Sequence, residues 1–501
     1  MLRCRTAAPP FALNSTKEPE NDTGWPAKSL PHHTGTCLFI VAMACIYYVA
    51  IAPLLLGHTD LGWHLAAGDL IRNQGSVPTH DPWSFTAGDK RWYNLSWLWD
   101  VVASLLVDYG HGTALILATI ALGGAVATGL AVTCLASGAS PVATSVAVIA
   151  ACLLYPTFAI PDLFLAASPN IATLLFCVTF YGVCLRKRFL SLVPVAMVLW
   201  VNMHGGFVLG IFIVGVFAGI ALLRRNAADL KIYSFLAAAC MIATLVNPLG
   251  WHVYQGVLST LGHFVQQYIT EWQPYLRTAT VPQCLPALAY ILLFAGFELT
   301  SRQGAAVEAR LLSWCFLLLG LWQLRYLSIF FLFSTVPLAC HLNQRLGTVA
   351  LVTERSLTVV GATLSMLLPV LYWLTVPANL QFAPIYPEPE ITWLAEHVPH
   401  ARLLNHWNYG GILIFRLRGT IPVFVDGRAA TAYPDPLLRD YFRLISWDVD
   451  ETAWQEVLQK YQINVVLWPK VHTQLAQFLV GKAGWTQAYS GTIANVFVKA
   501  Q

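Results

Sequence analysis

Long stretches without a charged residue alternate with short polar connections over most of the chain. The first stretch, residues 37–56, has twenty residues, which at about 1.5 Å per residue can cross a hydrocarbon core of about 30 Å. We predict ten further crossings in later stretches, and therefore an all-α polytopic membrane domain of about eleven transmembrane helices over residues 37–377. These later stretches are residues 109–161, 163–185, 189–223, 232–270, 311–324, 326–344 and 356–387.

Basic residues between these stretches predict the orientation of the membrane domain, because cytoplasmic loops are enriched in Lys and Arg. One set of connections carries most of them: Arg186, Lys187, Arg188, Arg224, Arg225, Lys231, Arg302, Arg310, Arg345 and Arg355. If this set is cytoplasmic, two hairpin tips at residues 201–206 and 322–326 lie on the outer side, together with the loops 57–95 and 248–284. The N-terminus is then cytoplasmic and the C-terminus extracytoplasmic.

Two segments do not fit the pattern of crossings. Residues 1–36 are polar and contain prolines, which indicates a disordered cytoplasmic tail rather than a cleavable signal. Residues 96–110 carry Asp100 and Asp108 and form either a short crossing or a helix at the outer surface. An additional crossing here would place the following basic connections on the other side of the membrane, so the surface helix is favoured.

After Pro377 charged residues return and the apolar runs shorten to the length of strands. Strands are predicted at residues 402–407, 421–425 and 463–468, helices at 391–397, 450–461 and 471–480, and a hairpin at 485–499. This alternation predicts a separate, small, soluble α/β domain over residues 378–501 on the extracytoplasmic side.

The composition excludes several classes of protein. Hydrophobic residues make up 57% of the chain and charged residues 11%, against about 25% charged residues in soluble domains. A net charge of +4 is too small to indicate a nucleic-acid partner. The cysteines lie mostly in or beside apolar runs, so we expect neither a disulfide framework nor a cysteine metal site. The chain has no phosphate-binding or dinucleotide-binding glycine motif, and we expect no cofactor.

The first outer loop contains candidate catalytic residues. The apolar spacing of residues 61–71 predicts an interfacial helix with Asp60 and His64 on one face, and a following loop presents His80 and Asp81. A carboxylate here would act as a general base on a hydroxyl at the membrane surface. The alternative is that Asp60 caps the helix, Asp81 caps a turn and the histidines are hydrated interface residues. The spacing matches no metal motif, and we predict no metal site.

A second group of candidates lies on the other outer loops. Arg325 is the single charged residue between residues 311 and 344. An intramembrane Arg is a candidate functional residue, and its guanidinium suits a phosphate. The alternative is that Arg325 reaches the surface or pairs with Glu271. His204 beside two glycines, His252 and Glu271 are each typical of structural residues, but their shared side makes them candidate substrate-binding residues.

Polar residues in the predicted tail domain follow strands, where α/β sheets bind ligands. They are residues 405–411 and 425–428 with Tyr433 and Asp435. They form either a platform for an acceptor substrate or turns built by the Asn-Tyr-Gly-Gly and Asp-Gly sequences. Turn chemistry is the favoured interpretation.

Together these motifs resemble the C-type (GT-C) superfamily of polytopic membrane glycosyltransferases, and most of all a bacterial branch of it. The similarity covers roughly residues 37–345. Members of the family also commonly carry an extracytoplasmic tail domain. The matching segments are residues 60–64, 81–85, 200–206, 247–250, 271–272 and 325–326.

The resemblance implies an enzyme of the bacterial cytoplasmic membrane that uses a polyprenyl-phosphate-linked sugar donor. Asp60 matches the catalytic aspartate of the first loop, and Arg325, with His204, a contact to the donor phosphate. The implied reaction is inverting transfer to a hydroxyl of an envelope glycan, lipid or protein acceptor, among membrane lipids and without nucleic acid. Many relatives have two acidic residues close together at the start of this loop. His58 stands two residues before Asp60 here, which weakens a metal-dependent version.

Two other classes of function stay open. One is a transporter or flippase of a lipid-linked envelope intermediate, and the other is a non-catalytic envelope scaffold. Transporters place ionisable residues and broken helices near the middle of the bilayer. The polar residues of this chain gather at the outer ends of helices, which favours chemistry at the membrane surface.

Overall fold

The computed structural model describes residues 33–52, 56–154, 167–278, 281–300, 304–346, 353–375, 386–445, 451–481 and 484–500. The predicted tail up to residue 32, Arg302 and the predicted boundary at residue 377 lie outside these ranges.

Helices make up the first three quarters of the described chain. They are α1 (Thr34–Ala50), α2 (Leu61–Gln74), α3 (Trp97–Ala136), α4 (Pro141–Leu154), α5 (Asn170–Arg186), α6 (Val193–Met203), α7 (Val208–Leu223), α8 (Ala227–Ala243), α9 (His252–Leu258), α10 (Tyr275–Thr278), α11 (Val281–Thr300), α12 (Val307–Trp322), α13 (Leu327–Leu346) and α14 (Glu354–Thr375).

Several of these helices are long and apolar enough to cross a membrane. Within the described ranges four qualify by length and composition: Trp97–Ala136, Gly205–Leu223, Leu324–Leu346 and Glu354–Tyr372. Five shorter apolar helices accompany them: Thr34–Ala50, Pro141–Cys152, Asn170–Arg186, Leu190–Met203 and Leu285–Thr300. The helices indicate an integral membrane protein, while the eleven crossings and their orientation stay predictions.

Helix α3 is broken near its first third. Gly110 and His111 have non-helical backbone angles, so residues 97–109 form a helical segment of their own. This segment packs closely on α2, because a Cβ atom at Gly68 would lie 2.1 Å from the carbonyl oxygen of Asp100. The segment therefore pairs with α2 along its length, and its relation to the membrane stays a prediction.

The C-terminal part folds around a four-stranded sheet of order β1-β2-β4-β3, in which β1 and β2 are parallel and the other pairs antiparallel. Two predicted strands, three predicted helices and the hairpin are confirmed, but the sequence reading missed α16 and α17. The elements are α15 (Glu388–His397), β1 (Leu403–Asn405), α16 (Gly410–Leu417), α17 (Asp435–Ile445), α18 (Glu451–Lys460), β2 (Val465–Pro469), α19 (Thr473–Gly481), β3 (Trp485–Ser490) and β4 (Ala494–Lys499).

The predicted strand at residues 421–425 is wrong. Val423 pairs instead with Ser84 of the first outer loop through an isolated parallel bridge. The N–H of Val423 donates to the Trp83 carbonyl at 3.0 Å, and the N–H of Phe85 donates to the Val423 carbonyl at 3.4 Å. This apolar run is buried because it covers the first outer loop, not because it joins the sheet.

One hydrophobic core joins the first outer loop to the C-terminal sheet. Trp83 and Trp92 of the loop belong to the same buried cluster as Phe497 of β4. Helices α2 and α16 touch through two glycines, since a Cβ atom at Gly62 would lie 2.3 Å from the carbonyl oxygen of Gly411. Any side chain at either position would force the two parts of the molecule apart.

A buried guanidinium completes this contact. Arg428 donates from Nε and Nη2 to the carboxylate of Asp426 at 2.8 and 2.6 Å, and from Nη1 to Oδ1 of Asp81 at 2.7 Å. All three side chains are fully buried. The guanidinium carbon lies 5.0 Å from the ring centre of Trp83 and 4.8 Å from that of Trp92. Ion pairs shielded from water therefore set the position of the tail domain on the loop.

We predict that Arg428→Ala lowers the free energy of unfolding by about 3–5 kcal/mol, because it leaves two buried carboxylates without their cation. Denaturant unfolding of the detergent-solubilised protein measures the loss, and limited proteolysis detects release of the tail domain.

Arg418→Ala is the matched control for this measurement. Arg418 pairs with Asp69 through a side chain that is 55% exposed, and exposed pairs contribute about 0–1 kcal/mol. Equal losses in the two variants would contradict the role assigned to Arg428.

Candidate functional site

A cavity of about 710 Å³ lies where the outer loops meet the tail domain. This volume is within the range of about 300–1,000 Å³ found for ligand pockets. Much of its lining comes from short 3₁₀ turns, which reverse the chain within a few residues and let side chains of distant segments converge. These turns are Gly205–Phe207, Phe264–Tyr268, Thr270–Trp272, Leu324–Tyr326, Trp407–Tyr409 and Ala429–Thr431.

Five residues singled out in the sequence line this cavity: Asp60, His64, His204, Glu271 and Arg325. They come from four loops that are far apart in the chain. The loops and hairpin tips predicted to share one side of the membrane domain therefore surround one cavity.

Asp81 does not line the cavity. Its oxygens accept hydrogen bonds from the N–H groups of Trp83 and Ser84, both at 3.1 Å, and from Arg428. Burial by itself raises the pKa of the Asp81 carboxyl, but Arg428 and the turn hold it below its ordinary value. The geometry assigns Asp81 to turn capping and ion pairing rather than to acid–base chemistry on a substrate.

Two predicted histidines also lie away from the cavity lining. His80 is exposed, and its Nδ1 lies 3.1 Å from the Thr79 hydroxyl. His252 begins α9, where its Nδ1 lies 2.8 Å from Oε1 of Gln255. These contacts are local, and they favour structural roles for both histidines.

Asp60 stands at the N-terminal end of α2. Within the described chain its side chain makes no capping hydrogen bond, so the geometry does not support the capping alternative. Its Oδ1 atom lies against the tail domain, because a Cβ atom at Gly427 would be only 1.8 Å away. The carboxylate is half-buried at the border between α2 and the tail. Within the described ranges it makes no side-chain hydrogen bond or ion pair.

The guanidinium carbon of Arg325 lies above the ring of Trp272, 4.0 Å from the ring centre. Its Nη1 is 3.6 Å from Oε1 of Glu271, which is too long for a hydrogen bond. The predicted alternative pairing is therefore present, yet within the described ranges the guanidinium makes no hydrogen bond. Burial raises the pKa of the Glu271 carboxyl, while Arg325 acts in the opposite direction. The cation keeps its N–H donors for a ligand.

His204 ends α6 and is held by its neighbours through Nδ1. The Thr173 hydroxyl is 2.7 Å from this atom, and the N–H of Gly206 donates to it at 3.3 Å. Since Trp200 donates its indole N–H to the Thr173 oxygen at 3.0 Å, the hydroxyl proton points to Nδ1. Burial, with Arg325 and His64 adding to it, lowers the pKa of His204 to about 3. The ring is neutral, with its proton on Nε2.

Asp100 is a site residue that the sequence reading did not select. Its Oδ1 lies 2.6 Å from Nδ1 of His64, and its Oδ2 accepts a hydrogen bond from Nδ2 of Asn94 at 2.8 Å. All three side chains are buried. The sequence could have indicated Asp100, because a carboxylate within an apolar helix is a candidate functional residue. The same criterion selected Arg325.

The tail domain supplies part of the cavity wall. His406, Trp407 and Asn408 line it, and burial, with His472 adding to it, lowers the pKa of His406 to about 3. Asp435 instead pairs with His263 at 3.0 Å. Both predicted tail segments reach the cavity, one through residues 406–408 and the other through Gly427 and Arg428.

Tyr433 belongs to the buried cluster of Arg428. Its hydroxyl accepts a hydrogen bond from Arg428 at 3.1 Å and donates to Asp426. No group of three or more His, Cys, Asp or Glu side chains that could hold a metal ion occurs in the described part of the chain.

No protein-family model and no curated protein matches the chain. Its fold is similar to solved structures of the oligosaccharyltransferase of Archaeoglobus fulgidus. The apo form has a TM-score of 0.59 at 11% identity, over 92% of this chain and 74% of that one. The complex of AglB with an inhibitory peptide and a dolichol-phosphate has a TM-score of 0.55 at 12% identity, over 92% and 73%.

A third structure of the same archaeal enzyme, tethered to an acceptor peptide with the NVT sequon, has a TM-score of 0.52 at 12% identity, over 95% of this chain and 74% of that one. At these identities the likeness shows a shared fold. It extends over both the membrane helices and the tail domain.

We predict that Gly427→Ala lowers the free energy of unfolding by about 1–3 kcal/mol, the usual effect of adding a methylene group to a packed site. The new Cβ atom would overlap the carboxylate of Asp60, so either Asp60 or the tail turn must move. Denaturant unfolding measures the change.

Gly481→Ala in α19 serves as the control, because a Cβ atom there meets no atom within 4 Å. We expect a change within about 0.5 kcal/mol for this surface substitution. If Gly427→Ala behaves like Gly481→Ala, the close approach of Asp60 to the tail domain is not present in solution.

Proposed function

We propose that the protein is a membrane glycosyltransferase of the GT-C type, which moves a sugar from a polyprenyl-phosphate-linked donor to an acceptor hydroxyl. One observation carries this proposal. A single cavity combines the carboxylate of Asp60, the guanidinium of Arg325 with its donors available, and the neutral ring of His204. The fold that holds this cavity is shared with an oligosaccharyltransferase whose solved complex contains a dolichol-phosphate.

The donor phosphate would bind at the wall formed by Arg325 and His204. A guanidinium can donate two parallel hydrogen bonds to phosphate oxygens, and Nε2–H of His204 supplies another donor. Glu271 and Trp272 hold the guanidinium without using its hydrogen bonds. These donors are in place before the reaction and would stabilise the negative charge that develops on the leaving phosphate.

The acceptor would approach from the side of α2 and the tail domain. There Asp60 accepts the proton of the acceptor hydroxyl while that oxygen attacks the anomeric carbon. The lipid phosphate leaves from the opposite face, which inverts the configuration of the sugar. His406, Trp407 and Asn408 line the adjoining wall and would contact the rest of the acceptor, an envelope glycan, lipid or protein.

The proposed location is the bacterial cytoplasmic membrane, with the cavity on its extracytoplasmic side. The distribution of Lys and Arg supports this orientation, since the residues of the cavity come mostly from the loops that hold fewer basic residues. A cavity at the membrane surface allows a water-borne acceptor to meet a lipid-borne donor. This arrangement favours transfer over transport across the bilayer.

Asp60→Asn is expected to reduce transfer by about 10²–10⁴-fold, the usual contribution of a general base, because the amide cannot accept the proton. Donor binding should persist. Turnover of a panel of polyprenyl-phosphate sugars in nanodiscs measures the effect.

Asp89→Asn is the matched control for Asp60, because Asp89 is exposed in the same loop and does not line the cavity. It should retain near-normal turnover. Near-normal transfer by the Asp60→Asn variant would show that Asp60 is not the general base.

Arg325→Ala is expected to weaken binding of a polyprenyl phosphate by about 1.5–3 kcal/mol, the value of hydrogen bonds to a charged group, which is about 10–150-fold in affinity. Quenching of tryptophan fluorescence on lipid titration reports the affinity. Arg277→Ala, at an exposed cation of the loop 248–284 that also carries Glu271, should bind as the wild type does. Equal affinities in both variants would mean that Arg325 does not contact the phosphate.

A further inference from the structure

Two histidines of the cavity, His204 and His64, are held in opposite hydrogen-bonding states. His204 accepts hydrogen bonds at Nδ1 from Gly206 and Thr173, so its neutral ring carries the proton on Nε2. The Nε2 atom is therefore a hydrogen-bond donor. Its electrostatic neighbours include Arg325 and His64, which places all three groups around one small region of the cavity.

His64 is held in the reverse way. Its Nδ1 lies 2.6 Å from a carboxylate oxygen of Asp100, and an ionised carboxylate only accepts hydrogen bonds. A proton on Nδ1 therefore points to Asp100, and a ring that carries only this proton has its lone pair on Nε2. Within the described chain Nε2 makes no hydrogen bond, and His64 lines the cavity.

Asp100 is itself fixed. Asn94 donates its side-chain N–H to the second carboxylate oxygen at 2.8 Å, and Asp100 and Asn94 are 0% and 2% exposed. The close contact of Gly68 with the backbone of Asp100 sets the distance between the helices that carry His64 and Asp100. Neither the side chain nor the backbone of Asp100 has room for another arrangement.

We propose that Asp100 is a positioning residue, which holds His64 as a hydrogen-bond acceptor for a substrate hydroxyl while His204 is held as a donor for a phosphate oxygen. This inference rests on the proposed function, because it assigns the two sides of the same cavity to the two substrates. His64 contacts a sugar or acceptor hydroxyl from the side of Asp60. His204 contacts the donor phosphate from the side of Arg325.

Asp100→Asn provides a sharp test, because it keeps the shape of the side chain. Asn94 still requires an acceptor, so the oxygen of the introduced amide turns to Asn94 and its NH₂ group turns to His64. Nδ1 of His64 must then accept, and the proton moves to Nε2. The same exchange in a catalytic triad holds the histidine in the wrong tautomer with the geometry intact.

The measurement is ¹⁵N and ¹³C NMR of histidine-labelled full-length protein in nanodiscs at pH 8.5, with the His64 signals identified by their loss in His64→Gln. In the wild type we expect His64 protonated on Nδ1 and His204 on Nε2, and in Asp100→Asn we expect His64 protonated on Nε2. A wild-type His64 protonated on Nε2 overturns the proposal without reference to any variant. So does an Asp100→Asn protein in which His64 keeps its proton on Nδ1.

A second readout separates this inference from the proposed function. Titration with a polyprenyl monophosphate should give affinities for Asp100→Asn within about two-fold of the wild type, since Asp100 acts on the hydroxyl side, whereas turnover should fall at least 10-fold through kcat. Asp100→Asn with unchanged turnover overturns the role of His64. If the lipid does not bind the wild-type protein, the proposed function is wrong. The protonation of His64 and His204 measured by NMR is not affected by that result.

Discussion

The guanidinium of Arg428 between Asp81 and Asp426 is the interaction on which the rest of the site depends. All three charges are buried, and an unpaired charge in such a place costs several kcal/mol, so none of them can leave without the others. Asp81 belongs to the first outer loop and Asp426 to the tail domain. The ion pairs therefore hold the tail against the loop, and the turn that carries Arg428 becomes one wall of the cavity.

Glycines let the backbone of α2 contact the backbone of the tail domain on one side and that of α3 on the other. Gly62 meets Gly411 of the tail, and Gly68 meets the backbone of Asp100 in α3. A third close approach places Gly427 against the carboxylate of Asp60. Helix α2 is thus confined between the tail domain and α3, which fixes both Asp60 at its start and His64 one turn later.

The part of the cavity lining around His204 and Arg325 is built differently. His204 and Arg325 lie at the tips of two helical hairpins, where short 3₁₀ turns replace the α-helix. Their side chains are restrained by contacts that leave hydrogen-bond donors available, Thr173 and Gly206 in one case and Trp272 in the other. One wall of the cavity therefore offers donors to an anion, and the other offers a carboxylate and a histidine lone pair to a hydroxyl.

The sequence by itself determined the class of protein and the segments that form the cavity. Charge-free stretches of helical length leave few alternatives to membrane helices, and Asp60, His204, Glu271 and Arg325 could be placed on loops of one side by counting basic residues. The strands β1 and β2 and the final hairpin also followed from local patterns. These features depend on residues close together in the chain.

The tertiary structure alone decided the roles of individual polar residues. Asp81 resembles Asp60 in the sequence, but its cation, Arg428, lies 347 residues away, and residues 421–425 pair with the first outer loop rather than with the sheet. Asp100 lies in a segment for which the sequence allows either a short crossing or a surface helix, and only folding brings it beside His64, 36 positions earlier. The free energy of a buried charge depends on which partner reaches it, and periodicity along the chain carries no information about partners that only folding brings together.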